Sequence, residues 1–271
     1  MEEFRNYEDS CRQQVVERHY KLMRTNQTVG FVDKMNKMYT DHFGRSHMTV
    51  WEAFQELKSY VDSSDPDSSL PNLEHMLQTA ESIRADGHPD WMQLVGLLHD
   101  MGKIMFLWGK PEDGQEGTAS GDQWALGGDT WVVGCRIPEC VVFPEFNVFN
   151  KDMNDPRYNT EYGIYEPGTG LNNLKFAWGH DEYMYQMLKY NQCSIPQEGL
   201  AMIRFHSFYP WHQHNAYEHL LTPEDENLKK WVLQFNHYDL YTKADKRPVV
   251  EELWPYYQTL IDKYLPGKLV W

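Results

Sequence analysis

The segment that most constrains the fold is an adjacent histidine and aspartate, His99-Asp100, inside a long apolar stretch. Apolar side chains fill most of residues 91–107, and this pattern predicts a helix that is largely buried in the protein. An imidazole beside a carboxylate is costly in such surroundings unless another group compensates it. A bound cation would compensate both groups, whereas ordinary hydrogen bonds would satisfy a structural histidine. Further ligands arriving from elsewhere in the chain would favour the cation.

Composition and charge exclude several classes of partner. The chain has 271 residues, 41% of them hydrophobic, which is ample for a core, and its formal net charge is −15. A nucleic-acid or anionic membrane surface needs a positive footprint instead. No apolar run approaches the ~20 residues that span a bilayer, and the first residues lack the layout of a secretory signal. With only four scattered cysteines, we expect reduced thiols and a cytoplasmic protein. We also expect a monomer that binds neither nucleic acid nor membrane.

Helical patterns dominate the chain outside its middle. A first helix is predicted within residues 10–25, in an N-terminal lid of residues 1–25. Thr49 and Glu52 have the spacing of a capping box, and Thr222 followed by Pro223 is typical of a helix start. The other predicted helices cover residues 29–38, 49–60, 72–84, 180–190, 196–208 and 249–264.

Residues 109–170 have a different character, because glycine and proline are frequent there. We expect a loop and hairpin region. Within it, residues 110–121 are predicted to form an exposed, flexible insertion. The short β-type runs at residues 131–133 and 140–143 predict a small β-hairpin. No linker separates a second core, so the predicted architecture is mostly α with this insertion in the middle.

Six polar side chains lie at positions that the helical pattern turns inward. The clearest is Asp239, which continues the apolar stripe of Leu228, Val232 and Phe235. The full set is His75, His99, Asp100, His180, His206 and Asp239. Four imidazoles and two carboxylates can hold two transition metals with one bridging aspartate, and this donor set suits Fe, Mn, Co or Zn. Each residue taken alone also fits a structural role. If all six converge, residues 1–271 form one helical domain.

The other histidines serve as a comparison, because they show no such placement. We expect them to be surface or capping residues. They are His19, His42, His47, His88, His212, His214, His219 and His237.

Lys103 follows Asp100 by three residues and His99 by four, which places it on the same helix face. A cation there could support a substrate oxygen as it becomes negative. The alternative is an exposed lysine at a helix end. Lys243, one turn after Asp239, has the same spacing and the same two interpretations.

The order of the six polar residues resembles the HD-domain metalloprotein superfamily, whose members are mostly phosphohydrolases. Longer strings resemble the myo-inositol oxygenase family more specifically. The likeness runs from Phe4 almost to Trp271. The strings that carry it are Phe4 to Tyr7, Leu97 to Lys103, Trp178 to Gln186, Ile203 to His212 and Asp239 to Lys243.

This resemblance implies a helical HD-domain-like bundle around a dinuclear metal site. It implies two iron ions, with Fe(II)/Fe(III) as the working state, and O₂ as co-substrate. The implied reaction is a four-electron ring cleavage of myo-inositol to D-glucuronate, which belongs to inositol catabolism.

The resemblance also assigns roles to individual residues. One iron would be held by His75, His99 and Asp239, the other by His180 and His206, and Asp100 would bridge both. Asp100 and Lys103 would be catalytic, and Tyr20 would help to cover the pocket. The implied substrate contacts are Arg5, Asp62, Ser63, Ser64, Lys103, Gly128, Asp129, His206, Ser207 and Lys243.

Two other functions remain open at the level of sequence. The first is an HD-type metal-dependent phosphohydrolase, which would need a cationic cradle for phosphate. Only scattered lysines and arginines surround the candidate ligands. The second is a non-catalytic HD-like binding module. Such a module commonly lacks some ligands, whereas all six positions are filled here.

Overall fold

Helices account for most of the ordered backbone in the computed structural model, which describes residues 7, 10–66, 72–116, 122–241 and 248–271. The mostly α prediction is confirmed. The helices are α1 (Gln13–Asn26), α2 (Val29–Tyr39), α3 (Val50–Glu56), α4 (Asn72–Ala85), α5 (Asp90–Leu98), α6 (His180–Tyr190), α7 (Gln197–Phe205), α8 (Tyr209–His212), α9 (Pro223–Tyr241) and α10 (Val250–Tyr264). Short 3₁₀ segments cover Leu57–Ser59, Met101–Leu107, Pro111–Asp113, Pro144–Phe149, Lys151–Asn154, Leu171–Asn173 and Glu218–Leu220.

Local sequence signals set several helix starts. At α3 the Thr49 side chain accepts from the Glu52 amide, and the Glu52 carboxylate accepts from the Thr49 amide, so the predicted capping box is confirmed. At α9 the Asp225 carboxylate accepts from the amide and hydroxyl of Thr222, directly before Pro223. These bonds satisfy backbone amides that have no partner within the helix.

The centre of the core is formed by α4, α5, α7 and α9, which contact one another, with α6 packed on α7. α5 is its most apolar element, and every residue from Met92 to Leu98 is buried. One cluster of buried apolar side chains extends from Val16 in α1 to Trp271. The helices that carry the six candidate ligands are therefore held together by burial of apolar surface.

The helix predicted over residues 91–107 is wrong in its extent. The α-helix ends at Leu98, His99 occupies its C-cap, and the chain tightens into a 3₁₀ segment over Met101–Leu107. Asp100 lies at the junction with φ −97° and ψ −1°. The His-Asp pair is thus at a helix end rather than mid-helix, and its side chains project from a change of helical geometry.

Gly102 explains why the 3₁₀ segment can contact α6. A Cβ at this position would lie 2.0 Å from the His180 carbonyl oxygen, far inside van der Waals contact. Because glycine has no Cβ, the backbone after Asp100 approaches the first residue of α6. This close approach brings His180 beside Asp100.

The predicted hairpin at residues 131–133 and 140–143 is wrong. The first run pairs instead with residues 175–177, through a bridge between Val132 and Phe176 and backbone bonds from Val133 and Ala177. The Val142 amide and carbonyl are already used by side chains. In the described residues the named strands are β1 (His47–Met48) and β2 (Leu269–Val270), which pair antiparallel.

Residues 110–121 are predicted to be an exposed insertion, and within the described part this holds for residues 110–112 and 116 but is wrong for residues 113–115, which are buried. Asp113 and Gln115 are buried. Lys34 Nζ donates to Asp113 Oδ1 at 2.6 Å, and Trp178 Nε1 donates to Gln115 Oε1 at 2.7 Å. These partners come from distant parts of the chain, so sequence spacing carries no sign of them. Residues 117–121 lie outside the described residues.

The structure also bears on the thiols and on membrane crossing. All four cysteines are free, as predicted. Burial raises the pKa of the Cys135 thiol to about 12, which leaves it protonated and unreactive. Among the helices of the described chain, none combines the length and the apolarity that a bilayer crossing requires.

We expect Gly102→Ala to destabilise the protein by about 3 kcal/mol, because the new methyl group collides with the backbone carbonyl of His180. Urea unfolding measures the change. The matched control is Gly30→Ala in α2, where an added Cβ meets no atom within 4 Å. Alanine there should stabilise by up to ~1 kcal/mol. Equal unfolding midpoints for the two variants would contradict the packing argument.

Candidate metal centre

Five helices bring the six candidate ligands to one place. His75 lies in the first turns of α4, His99 and Asp100 directly follow α5, His180 is the first residue of α6, His206 directly follows α7, and Asp239 lies in the last turn of α9. The His75 side chain is 25% exposed, whereas the other five are buried. Residues that are separated by up to 164 positions therefore share one polar centre in an apolar core.

The two histidines that follow helices are oriented in the same way. His99 Nδ1 donates to the Gly96 carbonyl at 2.8 Å, and His206 Nδ1 donates to the Ile203 carbonyl at 2.8 Å. Each carbonyl lies three residues earlier, in the last turn of the helix. A carbonyl can only accept, so each ring carries its proton on Nδ1 and presents the Nε2 lone pair inward. Such a fixed tautomer is typical of metal-binding histidines.

One potential ligand group consists of His75, His99 and Asp239. Asp239 Oδ1 lies 2.9 Å from His75 Nε2 and 3.3 Å from His99 Nε2. The ligand atoms of the three residues all lie within 4.8 Å of one another. Two imidazole nitrogens and a carboxylate oxygen at this spacing could hold one transition metal ion.

Asp100 lies between this group and His180 and His206. Asp100 Oδ1 is 3.0 Å from His180 Nε2 and 3.7 Å from His206 Nε2. The other oxygen, Oδ2, is 3.6 Å from His99 Nε2. His180 Nε2 and His206 Nε2 are 3.0 Å apart. The two oxygens of one carboxylate thus face two sets of imidazoles, which is the arrangement that a bridging ligand requires.

Both carboxylates in the centre are ionised. Burial alone would raise the pKa of Asp100, but Lys103 and the neighbouring histidines hold it well below its usual range. Burial likewise opposes ionisation of Asp239, and the adjacent imidazoles of His75 and His99 hold its pKa well below the usual range. Ionised carboxylates are the form that binds a metal.

The unpaired nitrogen of His99 tests whether a metal fits. His99 Nε2 is buried and has no hydrogen-bond partner among the described residues. Its lone pair faces oxygens of Asp100 and Asp239, which are also electron-rich. Such an arrangement is unfavourable unless a cation lies between the groups. The residues present therefore fit a metal cofactor.

Lys103 is buried, so the alternative of an exposed lysine is wrong. Its ammonium lies 2.8 Å from Asp100 Oδ2 and 2.8 Å from Asp62 Oδ2, and it donates to Asn72 Oδ1 at 3.2 Å. Burial alone would lower the Lys103 pKa, but the two carboxylates raise it above its usual value. Lys103 therefore carries a fixed positive charge beside the candidate bridging carboxylate.

Several of the predicted substrate contacts lie around Lys103. Asp62 Oδ1 accepts from the amide and hydroxyl of Ser64 at 2.8 and 2.6 Å. Ser63 and Ser64 are buried in the same loop, and Ser207 is buried next to His206. The carboxylate of Asp62, the hydroxyl of Ser64 and the ammonium of Lys103 therefore lie together beside Asp100.

Two further predicted contacts, Gly128 and Asp129, have other neighbours in the structure. The Asp129 carboxylate accepts from Arg24 Nη2 at 2.6 and 2.8 Å and from the Val142 amide at 3.0 Å, so it is already engaged. Arg5 and Lys243 lie outside the described residues. Gly128, which precedes Asp129, packs against Met23 of α1.

Tyr20, the predicted cover of the pocket, is fully buried in α1. Its hydroxyl lies 3.3 Å from that of Tyr7. Its ring packs against Tyr7 and Phe143, with ring centroids 5.6 Å apart in both pairs. α1 is thus joined to the Pro144–Phe149 segment by aromatic contacts rather than lying open.

Comparison with known proteins identifies the family. The sequence profile of myo-inositol oxygenase matches residues 13–271. The chain belongs to the myo-inositol oxygenase family. An inositol oxygenase from Mus musculus is 51% identical over 271 residues, 99% of this chain and 90% of that protein. An inositol oxygenase from Dictyostelium discoideum is 46% identical, over 100% and 90% of the two chains. A probable inositol oxygenase from Oryza sativa subsp. japonica is 44% identical, over 99% and 85%.

In this myo-inositol oxygenase family member, two of the histidines that we expected to be surface or capping residues are not at the surface. His19 and His212 are both buried. His212 Nε2 donates to the His206 carbonyl at 3.0 Å, which supports the backbone of a candidate ligand. His19 could have been found from sequence, because it lies within the α1 stripe of Val16, Tyr20 and Met23 at helical spacing. His212, in a four-residue helix, carries no comparable signal.

The surroundings of His19 lower the pKa of its imidazole. Its Nδ1 lies 2.7 Å from Ser63 Oγ and its Nε2 lies 3.3 Å from the Gly127 carbonyl oxygen. Burial lowers the His19 pKa to about 4, although the Asp62 charge opposes this effect. The ring is therefore neutral near pH 7. In the unfolded chain it would bind a proton at the ordinary histidine pKa of 6.5.

We expect this difference to make folding stability depend on pH. Between pH 6.5 and 4 the unfolded chain binds the proton more tightly, so the His19 contribution is intact above this window and is lost as the pH falls through it. From pH 7 to 4 the loss is about 3 kcal/mol. Urea unfolding at both pH values measures it. Glutamine does not titrate in this range, so the free energy of unfolding of His19→Gln should fall by about 3 kcal/mol less than that of the wild type. Parallel pH profiles of stability for the wild type and His19→Gln would contradict the assignment of this pH dependence to His19.

Proposed function

We propose that this protein is an inositol oxygenase that uses O₂ to convert myo-inositol to D-glucuronate. The observation that carries the proposal is the meeting of four imidazoles and two carboxylates in a chain of the myo-inositol oxygenase family. The names of the relatives supply the substrate class. The overall change is balanced when one oxygen atom of O₂ enters the product and the other becomes water. The substrate loses four electrons and O₂ gains four.

The proposed cofactor is a pair of iron ions with Fe(II)/Fe(III) as the working state. His75, His99 and Asp239 would hold one ion, His180 and His206 the other, and Asp100 both. The nitrogen and oxygen donor set, without thiolate, supports this choice. When bound, the pair would supply Lewis acidity toward the substrate hydroxyls and redox equivalents for O₂.

The chain's own residues would bind and orient the polyol. Myo-inositol is neutral, so its recognition needs hydrogen bonds rather than charge steering. Ser63, Ser64 and Ser207, which are all buried, would supply hydroxyl groups for these bonds. Lys103 places an ammonium where a substrate oxygen would gain negative charge, and Asp62 and Asp100 keep it protonated.

α1 would keep water out of the reaction. Tyr20 of α1 is fully buried, and His19 beside it reaches the loop of Ser63. Arg5, Gly128, Asp129 and Lys243 remain proposed substrate contacts. The Arg24 bond to the Asp129 side chain favours a contact through the backbone of that residue.

We also propose that residues 1–271 form one domain that works as a cytoplasmic monomer. The candidate ligands come from five helices between His75 and Asp239 of a single chain. A second chain is therefore unnecessary to complete the centre. The free thiols are compatible with a reducing compartment.

The direct test is O₂ uptake by the iron-loaded protein with myo-inositol, alongside iron analysis and identification of the product. We expect O₂ consumption that depends on myo-inositol, with one D-glucuronate formed per O₂. Phosphate release from nucleotides without O₂ uptake would instead support the phosphohydrolase alternative. Folded protein that retains no iron and has no turnover would support a binding module.

We expect Asp239→Ala to lose iron and to lower turnover by at least about 100-fold, because that ion would keep only two histidines and the Asp100 carboxylate that it shares with the second ion. Metal analysis and O₂ uptake measure the two effects. Asp225→Ala is the matched control, since it removes a buried carboxylate from the other end of α9. That control should cost ~1 kcal/mol in stability but keep its iron. Full iron and turnover in Asp239→Ala would refute the ligand assignment.

Lys103→Met should retain iron but lower turnover by roughly 100-fold, because it removes the positive charge beside the substrate oxygen. The variant also leaves Asp62 without its buried partner, so its stability should fall. The double variant Lys103→Met/Asp62→Asn removes both charges and should regain stability without regaining turnover. O₂ uptake and urea unfolding separate the two effects. Unchanged kinetics in Lys103→Met would exclude a catalytic role.

A further inference from the structure

We propose that His19 is a positioning residue that holds together two walls of the polyol site. One wall is the loop of Asp62, Ser63 and Ser64, and the other is the backbone at Gly127 and Gly128. The inference rests on the proposed function, because it concerns the pocket that would take myo-inositol. Beyond that function, it assigns a role to α1, which joins the two walls through the neutral imidazole of His19.

The direction of the two His19 hydrogen bonds follows from chemistry. The Gly127 carbonyl can only accept, so Nε2, 3.3 Å from its oxygen, carries the ring proton. Nδ1 then has a lone pair and accepts from the Ser63 hydroxyl at 2.7 Å. A neutral imidazole thus uses both nitrogens, one as donor and one as acceptor. Because the side chain is 4% exposed, water does not compete freely for either bond.

The two walls that His19 joins are in direct contact. A Cβ at Gly127 would lie 2.6 and 2.7 Å from the carboxylate oxygens of Asp62 and 2.8 Å from Ser64 Oγ. Glycine is therefore required for the walls to meet. At Gly128 a Cβ would lie 3.2 Å from His19 Nε2, and its φ is +91°. The His19 imidazole therefore lies next to the place where the two walls meet.

Asp62 connects the walls to the charged centre. Its carboxylate lies 2.8 Å from Lys103 Nζ, and Lys103 lies 2.8 Å from Asp100. A displacement of the Asp62 loop would move the group that orients the Lys103 ammonium. His19 itself contacts none of the six candidate ligands in the hydrogen bonds and ion pairs of the described chain. Its loss should therefore weaken polyol binding while the metal stays bound.

Three variants separate the effect of the two His19 hydrogen bonds from the effect of its side-chain volume. His19→Phe keeps a planar ring and loses both hydrogen bonds. His19→Gln can place an amide donor near the Gly127 carbonyl, and His19→Asn can place an acceptor near the Ser63 hydroxyl. We expect His19→Phe to raise KM for myo-inositol by about tenfold or more. The Gln and Asn variants should fall between it and the wild type. kcat should fall by a smaller factor than the rise in KM, since Asp62 also orients Lys103, and iron content should not change.

The matched control is His219→Phe. His219 Nε2 also donates to a carbonyl, that of Glu161 at 3.0 Å, but neither residue belongs to the proposed site. This variant should keep the KM and kcat of the wild type. The second measurement is equilibrium dialysis of labelled myo-inositol without O₂, in which Kd should rise by the same factor as KM.

The outcomes distinguish this inference from the proposed function. If wild-type protein turns over myo-inositol and the His19 variants keep its KM and Kd, the positioning role is refuted and the function stands. If the variants lose iron and kcat with KM unchanged, His19 is only structural, and the inference is again refuted. If wild-type protein neither binds nor oxidises myo-inositol, the function and the inference both fail. Should His19→Phe not fold, the Gln and Asn variants decide the same question.

Discussion

The rest of the structure depends on keeping ionised carboxylates inside an apolar core. Asp100 is the central case, because one of its oxygens faces His180 and the other faces His99 and Lys103. Asp62 and Asp100 share the ammonium of Lys103, whereas Asp239 faces the imidazoles of His75 and His99. The surplus negative charge and the unpaired nitrogen of His99 create a site that a cation would stabilise.

The backbone contributes to this site as much as the side chains do. His99 and His206 each follow the last residue of a helix and donate to a carbonyl of its last turn. Helix carboxyl ends carry partial negative charge, which favours a nearby cation. The 3₁₀ segment after Asp100 contacts α6 only because residue 102 lacks a side chain. The orientation of the candidate ligands therefore depends on helix ends and on the close backbone approach at Gly102.

A feature could be predicted from the sequence when the residues that form it are close together along the chain, and could not when they are far apart. Thr49 and Glu52 form their predicted capping box because the two residues are neighbours. Asp239 was found because an acidic residue interrupted an apolar stripe, and its carboxylate does lie beside His75 and His99. The hairpin failed because residues 131–133 found backbone partners at 175–177. The same stripe rule that selected His206 applied to His19, yet His19 was overlooked.

The sequence by itself determined the helical class, most helix positions, the family resemblance and the six candidate ligands, because each rests on local periodicity or on the identity of short motifs. Only the tertiary structure decided that the helix after Leu98 tightens, that Lys103 is buried between two carboxylates, and that Arg24 engages Asp129. These features depend on charges and backbone groups brought together from distant positions. Their energies arise from burial and from partners, neither of which a linear pattern specifies.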